Sequence, residues 1–266
     1  MSRLLKHFGF SRHPFDRNPH KDALFQHTGF QEALRRLLFS VELDGIAELV
    51  AESGCGKSLL LGQLADQLQS QGWFVHYFAH STIGPFSLLN VLARKAGLAP
   101  RRSRGETAMV LSETLLHDER KHLLVLDECH AMPDATLADV RLLTIGQFDR
   151  KSPFLLLLSG QPSLDDRLAD PMHHALDQRI TTFARLQPLS LEETREYLLL
   201  RLKAVNDRSQ PVFEDSAYEV IFDASAGVPR RINNIATSAL IVAAARNQRI
   251  VSAQDVLDAK LDRGRP

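Results

Sequence analysis

Ile46-Ala47-Glu48-Leu49-Val50-Ala51-Glu52-Ser53-Gly54-Cys55-Gly56-Lys57-Ser58-Leu59-Leu60 opens on an apolar run, breaks into small residues, and resumes as a helical pattern. That order is strand, phosphate-binding loop, helix. A phosphate needs convergent donors and positive potential, which a small-residue loop supplies by turning backbone N–H groups inward at a helix N-terminus. Gly54 and Gly56 keep side chains out of the way, and Ser53 to Leu59 (Ser53, Gly54, Cys55, Gly56, Lys57, Ser58, Leu59) are the expected binding residues. In the P-loop reading Lys57 reaches the β- and γ-phosphates and the Ser58 hydroxyl ligates Mg2+. The first glycine of the motif is Ala51 here, which is small enough to keep the loop but removes some conformational freedom.

The 266 residues, 44% of them hydrophobic, are enough for one sizeable domain and a smaller one. Lys and Arg number 32, as do Asp and Glu, so no global field attracts a polyanion and any such site must be local. Cys55 and Cys129 cannot build a disulfide framework. No apolar run approaches membrane-spanning length and no signal-peptide core is evident, so the expectation is a cytoplasmic protein without direct membrane insertion. His173-His174 has no partner at metal-ligand spacing, which excludes a zinc site of the usual patterns. Cys55 reads as an inert small residue rather than a reactive thiol.

Residues 8–30 interleave aromatics with turn residues and show no clear period. Helical spacing begins near Gln31 and stops at Asp44-Gly45, ahead of the P-loop strand. Downstream, Trp73 to Phe78 reads as a strand, Phe86 to Ala96 as a helix and Arg101-Arg102-Ser103-Arg104-Gly105 as a basic loop. A helix over about Glu106 to Glu119 leads into Leu123 to Leu126, a continuous apolar run suited to a strand buried on both faces. A helix near Asp134 to Phe148, a similar run at Phe154 to Leu158 and a strand at Thr182 to Leu186 follow. This alternation implies an α/β fold, a parallel sheet with helices on both faces. After Gln187-Pro188-Leu189 only helices are expected, with Ser190 and Glu193 as a capping box and Asp215, Pro229 and Ser252 near later helix starts. The expected division is a P-loop domain over residues 1–188, with 1–45 as its irregular lead-in and helix, and a small all-helical lid over 189–266.

The run Leu123 to Leu126 ends in Asp127-Glu128-Cys129-His130, and adjacent carboxylates at the end of a buried strand are costly unless used. Beside the P-loop, Asp127 can hold Mg2+ and Glu128 can orient and deprotonate an attacking water. A helix N-cap Asp followed by a dipole-matched Glu is the competing reading, which the upstream P-loop makes the weaker one.

Phe8-Gly9-Phe10 with Pro14-Phe15, Asp127-Glu128-Cys129-His130, Ser159-Gly160-Gln161-Pro162, Gln178-Arg179-Ile180 and Gly227-Val228-Pro229-Arg230-Arg231-Ile232-Asn233-Asn234 together resemble the AAA+ ATPases of the ExeA and MshM type. Those relatives serve secretion and pilus assembly, and similar ATPases of the TniB and TnsC type serve DNA transposition. The resemblance covers nearly the whole chain and departs at Ala51 and Cys129, where relatives often carry Gly and Ala. It implies ATP and Mg2+ as cofactors and an ATP-dependent homo-oligomer. It also implies sensor 1 at Gln161, sensor 2 at Arg230, and an arginine finger acting on the neighbouring subunit at Arg179, with Arg185 as rival. The aromatic lead-in resembles the segment packed around adenine, with His13 to Phe15, Phe15 above all, as candidates; core packing explains those aromatics equally well.

Three functions remain open at this stage: a transposition regulator binding double-stranded DNA and a transposase, an ATPase acting on secretion or pilus apparatus proteins, and a non-hydrolysing nucleotide-switched scaffold. Intact Asp127-Glu128 argues against the third. The lack of a membrane segment leans toward the first, with Arg101, Arg102 and Arg104 as the candidate DNA contacts.

Overall fold

Strand formation follows the apolar runs. The computed structural model describes residues 3–16, 24–43, 45–79, 83–143, 152–206 and 211–262. Among these, five strands form one parallel sheet: β1 (Ile46–Ala51), β2 (Phe74–Phe78), β3 (His122–Leu126), β4 (Leu155–Gly160) and β5 (Ile180–Leu186), in the order β2-β3-β4-β1-β5. Every residue of β1 and β3 is buried, as expected for interior strands covered on both faces. β5, at an edge, alternates buried and exposed side chains along its whole length. It begins at Ile180, two residues ahead of the expected start, because its pairing with β1 shifts register between Ile46 and Ala47 and so admits Thr181.

The chain opens with α1 (Arg3–Phe8), followed by α2 (Thr28–Ser40) and α3 (Lys57–Ser70). α2 packs on β5 and α3, and α3 also lies against β1 and β2. α4 (Pro85–Lys95), α5 (Arg104–His117) and α6 (Asp134–Leu143) bury Leu88, Leu92, Leu111, Leu115, Leu137 and Val140 with Leu124, Leu126, Leu156 and Leu158 of the sheet. The part of the expected α6 helix beyond Leu143 lies outside the described residues. The basic stretch is only partly a loop. Ser103 caps α5 by accepting the Glu106 N–H, so Arg104 is the first helical residue. α7 (Ser163–Leu168) and α8 (His174–Asp177) complete the connection from β4 to β5.

Thr28–Leu186 form one compact unit, and Met1–His27 join Gln187–Pro266 in the other. The expected grouping of residues 1–45 with the sheet therefore changes: the described lead-in belongs with the helices, and the division falls after His27. Packing explains this. Phe8, Phe10 and Phe15 are buried in the same core as Leu198, Phe213, Tyr218, Ile232 and Leu240. The unit's helices are α1, α9 (Leu191–Lys203), α10 (Asp215–Ser225), α11 (Pro229–Ala245) and α12 (Ala253–Asp262). The Ser190–Glu193 capping box forms in both directions, and Pro229 occupies the first turn of α11. Gly227, at φ 71°, closes α10 where an added Cβ would lie 2.0 Å from the Leu189 carbonyl oxygen.

Candidate nucleotide site

β1, β3 and β4 run parallel, so their carboxyl ends lie at one end of the sheet, where open α/β folds build ligand sites. The loop after β1 delivers Gly54 and Gly56 at φ 98° and 101°, backbone that disfavours any Cβ. Gly56 caps α3 without a side-chain acceptor, leaving the first helical N–H groups oriented outward. The loop therefore suits an anion. Ala51 is itself the last residue of β1 and is not in the left-handed region, so alanine carries no backbone strain there. Ser58 is exposed in the first turn of α3, and Cys55 is buried.

Lys57 Nζ lies 3.2 Å from Asp127 Oδ1 and 2.6 Å from Glu128 Oε1. The phosphate loop and the paired carboxylates are thus brought side by side. Asp127 is further bound by two hydroxyls: Tyr77 Oη donates to Oδ2 at 2.8 Å and Ser159 Oγ to Oδ1 at 2.9 Å. Burial pushes this carboxyl upward, but the Tyr77 bond, the Lys57 charge and the Ser159 bond together leave it below the usual range. Asp127 is therefore a charged carboxylate held in one orientation. Tyr77 is raised in turn, first by burial and then by donating to that carboxylate.

Glu128 adopts a left-handed backbone, φ 58° and ψ 34°, an uncommon conformation for a non-glycine residue and one that recurs at functional sites. A 3-10 turn, Cys129–Ala131, follows it. Cys129 donates its thiol to the Leu126 carbonyl, and burial pushes that thiol up to about 12, so it is inert. His130 faces two ways, with Nδ1 accepting the Gln161 N–H at 3.3 Å and Nε2 lying 3.8 Å from Glu128 Oε2. Gln161 thus meets His130 through its main chain, and the imidazole stands between it and Glu128. His173 is buried against Asp134, a packing role.

Tyr77, Ser159 and His130 were missed as site residues. Ser159 and His130 stood inside motifs already singled out, whereas Tyr77 had only its place near a strand end. The other expected residues belong to further elements. Phe15 is buried in the core of the helical unit, stacked edge-on to His13. Arg185 pairs with Asp165 at 2.7 Å, Arg179 precedes β5, and Arg230 lies in the first turn of α11. Arg101 and Arg102 are exposed, while Arg104 pairs with Asp139 at 3.0 Å. Among the described residues no cluster of three or more ligating side chains could hold a metal unaided, so a cation here would depend on phosphate oxygens and water as well.

Residues 41–168 match the family model described as the AAA domain. This segment is an AAA domain. Over 258 residues, 94% of the chain, the protein is 29% identical to the General secretion pathway protein A of Aeromonas hydrophila, of which it spans 46%, about half the relative's length. Among solved structures it resembles Cdc6p of Pyrobaculum aerophilum, with TM-score 0.72 and 17% identity over 94% of this chain and 70% of that one. The RuvB Holliday junction branch migration motor of Thermotoga maritima matches at TM-score 0.59 and 19% identity, covering 93% of this chain and 73% of that one. These two likenesses establish the fold alone, an α/β parallel sheet with a phosphate loop. An AAA domain implies nucleotide binding, typically with Mg2+, and the loop, Lys57 and Asp127 have the chemistry for both. Among the described residues no helix is long and apolar enough to cross a membrane.

Proposed function

We propose that the protein is a Mg2+-dependent ATPase, and the observation carrying this is the ammonium of Lys57 held between Asp127 and Glu128 at the phosphate loop. Ser58 and Asp127 would hold Mg2+, which supplies charge neutralisation on the phosphates. Lys57 is the mobile counter-charge. In the free protein it balances the two carboxylates; with a triphosphate on the loop it serves the phosphate oxygens, releasing Glu128 to take a proton from water. Hydrolysis then follows nucleotide arrival, because the base is neutralised until Lys57 has moved. Sensor roles for Gln161 and Arg230, and a trans-acting role for Arg179 in an ATP-dependent homo-oligomer, rest on the resemblance. Arg185, the rival finger, would have to leave Asp165.

One pair of variants tests the chemistry. Lys57→Ala should lose tight ATP binding, whereas Glu128→Gln should keep it while phosphate release falls by ~10² or more. Fluorescent-nucleotide titration and a phosphate assay measure the two, and equal turnover by Glu128→Gln and wild type would remove Glu128 from its role.

For the process that hydrolysis drives, the likeness to a secretion-pathway protein favours action on secretion or pilus apparatus proteins, which reverses the order suggested by the sequence. A transposition role, with double-stranded DNA and a transposase as partners, keeps one supporting observation: Arg101 and Arg102 are exposed and adjacent at the start of α5.

A further inference from the structure

His130 can be assigned a tautomer from its neighbours. A main-chain N–H only donates, so the Gln161 N–H, 3.3 Å from Nδ1, requires a lone pair on that nitrogen. A neutral imidazole then carries its proton on Nε2, the nitrogen that faces Glu128 Oε2 at 3.8 Å. The ring has little freedom to turn away. Arg167 donates from Nη1 to the carbonyls of Cys129, at 3.1 Å, and His130, at 2.9 Å, and its Nη2 pairs with Asp134, so the turn bearing the imidazole is held from α7. Gly160, at the end of β4, makes room for Leu164 of α7, since a Cβ there would lie 2.8 Å from Leu164 Cδ2.

Glu128 has two partners of unequal permanence. Lys57 holds Oε1 at 2.6 Å, and it is also the group that phosphate would attract away. We infer that His130 is a positioning residue for Glu128, its Nε2–H holding the carboxylate once Lys57 is withdrawn and setting it in register with the Gln161 main chain. Closing from 3.8 Å to hydrogen-bond range needs a movement of about 1 Å, within the tightening expected when a site is loaded. The same imidazole bridges the end of β4 to the carboxylate, so displacement of Gln161 is felt directly by Glu128. This inference rests on the hydrolysis reading above.

Two substitutions separate positioning from scaffolding, because each retains one half of the ring's bonding. In His130→Asn the amide oxygen can still accept the Gln161 N–H but reaches no further; in His130→Gln the longer side chain can place an N–H near Glu128 while giving up the Gln161 bond. Positioning predicts that kcat falls about 10- to 100-fold in His130→Asn with KM for ATP and thermal midpoint unchanged, and that His130→Gln recovers most of the loss. A second readout needs no turnover: nitrogen-15 histidine NMR of the nucleotide-free wild type should show His130 protonated on Nε2 and bare on Nδ1. Full activity in His130→Asn, or the opposite tautomer, would overturn the inference while leaving the ATPase reading intact. Absence of ATP hydrolysis by the wild type would remove that reading and the inference with it.

Discussion

Glu48 is a carboxylic acid inside the interior strand β1, only 3% exposed, with Oε1 lacking a hydrogen-bond partner. Burial, and next the charge of Asp165, raise its carboxyl from an ordinary 4.5 to about 7, against the pull of Arg185. The folded protein therefore keeps this proton over a range where the unfolded chain has released it. Stability contributed by the protonated form is complete below about 4.5 and is lost as pH rises toward about 7. At roughly 1.4 kcal/mol per pH unit the full loss is at most about 3.5 kcal/mol. Glu48→Gln, whose amide needs no proton to stay neutral, should unfold at higher temperature than wild type at pH 8 and show little advantage at pH 4.5. Parallel stability curves for the two proteins across that range would contradict the assignment. At this scale the sequence was legible where a motif marks the residue, as at Lys57, Asp127 and Glu128, which the structure brings into contact. Tyr77 and Ser159 were not legible as Asp127 ligands, because 50 and 32 positions separate them from it and only the strand order β2-β3-β4 brings them together.

Among elements, β3 and β4 announced themselves as continuous apolar runs and β1 as one broken by Glu48, because both their faces are covered. The start of β5 did not: the expected strand begins at Thr182, and Ile180 and Thr181 join it because Ile180 pairs with Ile46 across the register shift. The lead-in was harder still. Its aromatics lack a period because they fill gaps in a core built by helices far along the chain, and the residue that fastens the segment, Arg201, lies 187 positions after Pro14. Arg201 is 4% exposed on α9; Nε donates to the Pro14 carbonyl at 2.9 Å and Nη2 to the Asp16 carbonyl at 2.6 Å. Its remaining nitrogen donates to Tyr197 Oη at 3.2 Å. Burying a guanidinium among neutral acceptors is costly unless all its donors are used, and here each nitrogen has a partner. Arg201→Met keeps much of the bulk but strands two carbonyls, at about 1–3 kcal/mol each. The expected result is a lowered unfolding midpoint together with protease cleavage in the lead-in. An unchanged midpoint and cleavage pattern would show that the aromatic packing of Phe8, Phe10 and Phe15 suffices to hold the segment.

For the whole molecule the open choice is between a protein apparatus and DNA as the object of the ATPase cycle, and the balanced charge sharpens the test. With 32 basic and 32 acidic residues, any duplex affinity must come from a local patch rather than a general field. The structure narrows that patch. All three arginines are exposed, but Arg104 begins α5 and is paired with Asp139, so it would have to give up a carboxylate to meet a phosphate, whereas Arg101 and Arg102 precede the helix. Each phosphate contact releases counterions and adds ~0.9 to the log-log salt slope. If the patch tracks a duplex, replacing Arg101 and Arg102 together should reduce the slope by up to ~2 per subunit, and Arg104→Ala should leave it nearly unchanged. DNA-free ATP hydrolysis should survive in both, since neither change touches Lys57, Asp127 or Glu128. An equal loss on replacing Arg104 would show that the Asp139 pair opens on DNA. An unchanged slope in the double variant would reject this patch, and no duplex binding by wild type with ATP would turn the search for a partner to the secretion apparatus.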